Sequence, residues 1–107
     1  MADLWDRKYQ EFRGRCAYCG RDLFTDLDSY MASTHDHLIP KSKNGLDTEE
    51  NLVLACAVCN TLKADFDPSS GSSSKEERIK RAREHIAKRR GEKMEEFWRY
   101  LKRYEKP

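Results

Sequence analysis

Two C-x-x-C pairs constrain the fold of this chain more than any other feature. The pairs are Cys16 with Cys19 and Cys56 with Cys59. Four thiolates complete a tetrahedral zinc site with no open position, the arrangement typical of structural zinc. An iron–sulfur cluster or two disulfides are the remaining interpretations. Paired motifs of this kind in a cytosolic chain indicate metal ligands before disulfides, so we predict a structural zinc ion.

The composition indicates one small domain whose fold needs a stabilising element such as structural zinc. The chain has 107 residues, of which 37% are charged and 37% are apolar, so we expect a single domain over 1–107 with a small core. The opening residues MADLWDRKYQEF are charged and lack the apolar stretch of a secretory leader. No apolar run is long enough to span a bilayer. We therefore expect a cytoplasmic protein with no membrane partner.

Charge is distributed unevenly along the chain. Residues 1–74 carry 8 Lys and Arg against 12 Asp and Glu, whereas residues 75–107 carry 13 against 7. A basic C-terminal arm on an acidic body suggests a polyanionic partner. Basic helices are also common as solvated surface, so the charge pattern alone leaves both interpretations open.

The centre of the chain has the pattern strand, loop, strand, helix. Residues 3–13 first place apolar side chains on one face of a helix that Asp3 can cap. Residues 29–39 are compatible with a strand, and a loop over 41–50 contains the turn signal Asn-Gly. Residues 51–56 form a short apolar strand, and a helix can begin at NTLKADF.

The C-terminal part predicts a flexible joint followed by a helical arm. The linker over 67–74 is rich in Ser, Gly and Pro, and Ser74 with Glu77 forms a capping box for a helix over 75–104. We expect one long helix kinked at Gly91, or two helices. Its apolar residues recur at helical spacing: Ile79, Ala82, Ile86, Met94, Phe97, Trp98 and Leu101. We interpret this stripe as core contact with the N-terminal helix, with a dimer interface as the alternative.

The central segment resembles a known family. The stretches DHLIPKSKNG and ENLVLACAVCNTLKAD are similar to the HNH endonuclease motif, in the subgroup with two C-x-x-C zinc knuckles. The resemblance covers residues 16–66, about half of the chain. The features that coincide in order are Asp36-His37, Pro40, Ser42, Asn44-Gly45, Asn51-Leu52 and Asn60.

The resemblance implies a fold and a set of roles. The fold is an α+β arrangement with a small ββα-metal core, flanked here by an N-terminal helix and C-terminal helices. Asp36 resembles the metal-binding acid, His37 the general base, Asn51 the residue that braces the loop, and Asn60 the second metal ligand. Asn60 departs from the histidine of the motif's third letter. An amide oxygen suits a hard cation, which favours Mg²⁺, with Mn²⁺ next.

Neighbouring residues on a strand point to opposite faces, so Asp36 and His37 could not both face one site on a regular strand. We expect a bulge or an irregular strand start at these residues. Alternatively, Asp36 reaches the metal from one side while His37 faces the phosphate from the other. His35 is either a supporting contact or a turn histidine beside the site. Four further basic residues complete the expectations: Lys41, Lys43 and Lys63 as candidate phosphate contacts, and His85 as a surface residue.

Three functions fit these observations. The leading hypothesis is a metal-dependent endonuclease that hydrolyses double-stranded DNA, nicking with low sequence specificity as a monomer. The alternative is a zinc-stapled nucleic-acid-binding module whose hydrolytic site is idle. A third is a protein-interaction module that uses the apolar helical stripe. Neutral imidazole can take a proton from water near pH 7 and a divalent cation can stabilise charge on phosphate, which supports the first.

Overall fold

A computed structural model of the protein describes residues 3–71 and 73–105 and shows two short antiparallel strands flanked by helices. The elements in chain order are α1 Leu4–Glu11, α2 Leu27–Met31, β1 Ser33–His37, β2 Leu52–Cys56, α3 Ala57–Lys63 and α4 Lys75–Arg103. A single 3-10 turn, Lys41–Lys43, lies in the loop between the strands. The expected α+β class with strand, loop, strand, helix at its centre is confirmed.

The two strands form the centre of the molecule, and different helices cover their two faces. Every residue of β2 is buried, because its sequence LVLAC is apolar throughout. On one face α1 contacts β1: the Tyr9 hydroxyl lies 2.6 Å from Ser33 Oγ. On the other face α3 contacts β1, with Lys63 Nζ 3.5 Å from Asp36 Oδ2. The sheet therefore separates an α1 side from an α3 side.

The loop between the strands has a fixed backbone shape. Asn44 adopts a left-handed conformation with φ of 70°, which asparagine tolerates better than most residues. The Gly45 amide donates to Pro40 O at 2.9 Å. A Cβ atom at Gly45 would lie 1.7 Å from Ile39 O, so no other residue fits this close approach. The turn expected at Asn44-Gly45 holds the loop against the end of β1.

The strand expected over 29–39 is wrong at both ends. Asp26 caps α2 by accepting a hydrogen bond from the Ser29 amide at 2.7 Å, so Leu27–Met31 is helical. The strand begins only at Ser33 and ends at His37. The apolar residues around the cluster suggested extended structure, but the capping aspartate decided the local conformation.

The first half of α4 packs on the core. Ser74 Oγ accepts from the Glu77 amide at 3.1 Å, which forms the predicted N-cap. Ala82 and Ile86 are buried. The helix continues without interruption through Gly91, so of the two expected arrangements the structure contains a single helix of 29 residues. None of the helices within the described ranges has both the length and the apolar content needed to cross a membrane.

The second half of α4 extends beyond the domain. The four apolar residues expected to complete the core are 42–61% exposed: Met94, Phe97, Trp98 and Leu101. The prediction of core contact is wrong for these residues. At about 1.5 Å per residue the helix is roughly 44 Å long, and α1 and α3 are too short to cover it. An apolar stripe at helical spacing identifies a face that must be covered, but not what covers it.

Candidate functional site

The four cysteines converge on one point where a turn, a strand end and a helix start meet. Their sulfur atoms all lie within 4.8 Å of one another. Cys19 Sγ and Cys56 Sγ are 3.9 Å apart. Four thiolates about 2.3 Å from a tetrahedral zinc ion would be separated by about 3.8 Å. Backbone amides of Tyr18 and Cys59 each point at a sulfur, at 3.4 Å from Cys16 Sγ and Cys56 Sγ respectively. The cluster therefore fits one zinc ion.

The electrostatics of the cluster also favour a dication. Hydrogen bonds from Cys56 and Cys59 lower the pKa of Cys16 far below that of an ordinary thiol. The same contact with Cys16 raises the pKa of Cys59. Thiols this close therefore cannot all ionise unless a cation offsets their charge. Arg90 places a guanidinium nitrogen 3.7 Å from Cys59 Sγ, which adds positive charge to the same site.

Asp36 is buried on the α3 side of β1. It accepts a hydrogen bond from the Tyr18 hydroxyl, and Lys63 Nζ lies 3.5 Å from the same carboxylate oxygen, Oδ2. Burial raises the pKa of Asp36, although Lys63 and Tyr18 act in the opposite direction. Lys63 is fully buried, so the expected phosphate contact by this lysine is wrong. Its ammonium instead compensates the buried carboxylate.

Asn60 lies on α3 one turn before Lys63, and so on the face of the helix that meets β1. It is half-buried, and its side-chain amide makes no hydrogen bond within the part of the chain that the structure describes. The second carboxylate oxygen of Asp36 also lacks a hydrogen-bond partner among the described residues. Carboxylate and amide oxygens are donors of the type that hard cations bind.

His37 ends β1 and lies on the opposite face from Asp36. The pairing of β1 with β2 is regular from Ser33↔Cys56 to His37↔Leu52, so the expected bulge is wrong. The alternation of a regular strand places the carboxylate and the imidazole on different sides. The alternative expectation, in which a metal and a phosphate are approached from opposite sides, is the one compatible with this geometry.

The imidazole of His37 has a carboxylate partner in the loop. Its Nε2 atom lies 2.6 Å from Asp47 Oδ1, and Lys41 Nζ lies 3.2 Å from Asp47 Oδ2. Hydrogen bonds from His37 and Lys41 lower the pKa of Asp47, so this group stays ionised and acts as the acceptor. An ionised Asp47 requires that Nε2 of His37 carry a proton, so Nε2 is the donor in this hydrogen bond. Lys63 also donates to His37 O at 2.9 Å, which fixes the backbone of the same residue.

Comparison with known families identifies the segment that contains both sites. Residues 16–66 match the family model described as HNH endonuclease. These residues form an HNH domain. The resemblance noted from the motif is thereby confirmed, and with it membership of a nuclease family that acts on nucleic acid. Comparison with curated proteins gives no significant match, and comparison with solved structures gives none either.

Asn51 belongs to the framework of the HNH domain. Its side chain accepts from the Ile39 amide at 2.8 Å and donates to the carbonyl oxygens of Ile39 and Leu46, both at 3.0 Å. Its own carbonyl accepts from the Leu38 amide at 2.8 Å. Asn51 is buried and joins the beginning of the loop to its end. The residue therefore fixes the loop that presents Asp47 to His37.

Two other histidines have roles different from those expected. His35 packs edge-on against Trp5, with ring centroids 3.6 Å apart, and its buried Nε2 has no hydrogen-bond partner among the described residues. His35 lies within β1 and under α1, so the expectation of a turn histidine is wrong. His85, expected as a surface residue, is half-buried and stacks on Phe66 with centroids 4.0 Å apart.

Two residues that touch the site were not predicted from the sequence. Asp47 is one of several acidic residues in the loop sequence LDTEE, and no spacing distinguishes it from Glu49 or Glu50. Tyr18 lies between the first two cysteines, where it looked like part of a knuckle turn. Both contacts join residues that are distant in sequence, so only the folded chain reveals them.

Proposed function

We propose that the protein is a metal-dependent endonuclease that nicks DNA, with its active site at the end of β1. The observation that carries the proposal is the arrangement around Asp36 and His37. Asp36 lies on the α3 side of β1, where Asn60 shares a helix face with Lys63, and a carboxylate-bound imidazole lies on the other side. Membership of the HNH family supports a phosphodiester as the substrate.

The two metals have separate roles in this proposal. Zinc held by the four cysteines stabilises the fold, because a site with four protein ligands leaves no position for water or substrate. Asp36 and Asn60 hold the hydrolytic cation, Mg²⁺ or Mn²⁺. When bound, this cation supplies charge stabilisation for the phosphate and the leaving oxygen.

His37 acts as the general base. With Nε2–H donating to Asp47, the lone pair on Nδ1 is available to take a proton from the attacking water. Asp47 is a positioning residue, since among the described residues its side chain pairs with the imidazole and Lys41. Lys63 contributes from the opposite side by holding the His37 carbonyl. The base is thus fixed both through its ring and through its backbone.

One chain has one such site, so one encounter breaks one strand. The product is therefore a nick, and opposing nicks accumulate only later. Arg81 and Lys88 on α4 are exposed and make no ion pair within the described ranges, so they are available for phosphate contact. Contacts of this kind carry no base information, which fits low sequence specificity.

A nucleic-acid-binding module with an idle site is the second candidate. The ion pair between Asp36 and Lys63 favours it, because a buried ammonium 3.5 Å from the carboxylate competes with a cation for that charge. Under this alternative the domain binds DNA through α4 but does not hydrolyse it.

Incubation with supercoiled plasmid separates the two candidates. We expect open circles with Mg²⁺ or Mn²⁺, none with EDTA, and linear DNA only after open circles. His37→Ala should reduce the rate by about 10²–10⁴-fold while zinc content and DNA binding stay unchanged. His35→Ala is the matched control, since His35 lies under α1, and it should retain far more activity. DNA binding without cleavage under any of these conditions would support the idle site.

A further inference from the structure

The distal face of α4, defined as Met94, Phe97, Trp98, Leu101 and Tyr104, remains without a covering element among the described residues. These side chains are 42–67% exposed. They lie on one side of the helix, because the spacings of three, four and seven residues return to the same face. Isolated exposed apolar residues are common, but a contiguous face of this size on a charged helix marks an interaction site.

We propose that the distal face is the interface of a homodimer in which two α4 helices pair in antiparallel orientation. The charges beside the distal face determine the orientation. Glu95 and Lys102 are seven residues apart, so they lie on the same flank of the distal face. Neither forms an ion pair within residues 3–71 and 73–105, whereas Glu92 and Glu96 are paired along the helix with Arg89 and Lys93.

Antiparallel pairing satisfies both unpaired charges at once. A two-fold axis near Trp98 places Glu95 of each copy opposite Lys102 of the other, because the two positions are equidistant from the axis. Parallel pairing in register would instead place Glu95 opposite Glu95 and Lys102 opposite Lys102. Charge complementarity therefore selects the antiparallel arrangement and a second copy of this chain as the occupant.

The shape and the size of the surface agree with a second copy. In the antiparallel arrangement Met94 lies between Leu101 and Tyr104 of the second copy. Met94 also lines a shallow cavity of about 250 Å³ with Val58, and this cavity can receive the second copy's side chains. Half-exposed aromatic and large aliphatic residues each contribute roughly 100 Å². Six such residues per copy, counting Tyr100, give about 1,200 Å² in total, at the lower end of specific interfaces.

Sedimentation analysis of the intact zinc-loaded chain, without DNA, tests the proposal over about 1–100 µM. We expect a concentration-dependent dimer. Trp98→Glu should leave only monomer, with unchanged zinc content and helical circular dichroism. Arg99→Glu is the matched control, since Arg99 lies on the opposite side of α4, and it should still dimerise. A monomeric wild type, or a dimer that Trp98→Glu leaves intact, would overturn the proposal.

A charge exchange tests the orientation. Glu95→Lys and Lys102→Glu should each raise the dimer dissociation constant at least about tenfold, because like charges then meet across the interface. The double variant exchanges the two charges and should restore dimerisation. If the single variants weaken the dimer and the double variant does not recover it, the antiparallel arrangement is wrong.

The dimer also alters the product expected of the nuclease, and this consequence rests on the proposed function. Two copies bring two sites to a duplex, so linear DNA should appear earlier above the dissociation constant than below it. Sedimentation requires no cleavage, so an inactive protein can still dimerise and an active one can still be monomeric. The two proposals therefore fail independently.

Discussion

The two candidate metal sites of this HNH domain differ in how completely the chain closes them. The cysteine cluster offers four soft ligands from two knuckles that are tied to the end of β2 and the start of α3. The proposed site at Asp36 takes one oxygen donor from a strand and one from a helix, and would leave the remaining positions to water or substrate. A closed site stabilises the fold and an open site allows chemistry.

The largest difference should appear when each site loses one ligand. Cys56→Ser should prevent folding at ordinary temperature, because structural zinc contributes about 10–16 kcal/mol in small domains, as much as the total stability of about 5–15 kcal/mol. Circular dichroism and zinc analysis of the purified protein measure this. Val58→Ser, an exposed change in the first turn of α3, is the control. A folded, zinc-free Cys56→Ser protein would remove the structural role of zinc.

Asn60→Ala should leave the fold and the zinc intact but weaken the open site. We expect cleavage at low Mg²⁺ to fall by about 10–100-fold, the range that loss of a group supporting a metal produces. Raised Mg²⁺ should recover part of the loss, since the remaining ligand and water still bind the ion. Titration of the cleavage rate against Mg²⁺ checks this, with the exposed neighbour Thr61→Ala as control. A loss that no metal concentration recovers would contradict the assignment of Asn60 as a ligand.

Asp47→Asn should produce a smaller defect in the same site. The amide keeps the size of the side chain but removes the charge that holds Nε2–H of His37. We expect the rate to fall roughly tenfold, a fraction of the about 10²–10⁴-fold contributed by the base. The loss should fall on kcat more than on KM, because Asp47 holds the imidazole and does not touch the substrate in this proposal. A loss that falls on KM instead would indicate a structural role.

The basic residues of α4 divide into those that stabilise the fold and those that are available for DNA binding. Arg90 contacts Cys59 Sγ and Arg83 Nε donates to Ala17 O at 2.9 Å, so these two belong to the fold. Replacing Arg81 and Lys88 together by Gln should reduce the slope of log affinity against log salt concentration. The reduction should correspond to the loss of up to about two phosphate contacts. Arg83→Gln should affect stability more than the slope. An unchanged slope in the double variant would exclude this face from DNA binding.

The smallest effect concerns the contacts that join α1 to the start of α4. Burial raises the pKa of Glu11, but hydrogen bonds from Lys75 and Lys8 outweigh it, so the pKa lies below its ordinary 4.5. The stabilisation is therefore complete above pH 4.5 and is lost as the pH falls through the lowered pKa. Because Glu11 is 39% exposed, we expect no more than about 1 kcal/mol. Urea unfolding of the wild type and of Glu11→Gln should converge only at acid pH.

The sequence by itself determined the cysteine cluster, the HNH motif and the central order of strand, loop, strand and helix. C-x-x-C spacing, turn residues and a capping serine act within a few residues, and such local constraints do not depend on the rest of the fold. The tertiary structure decided the partners. It paired Asp36 with Lys63, placed Asp47 on His37 and left Met94, Phe97 and Trp98 without cover. These outcomes depend on which distant segments come into contact, and neither periodicity nor spacing contains that information.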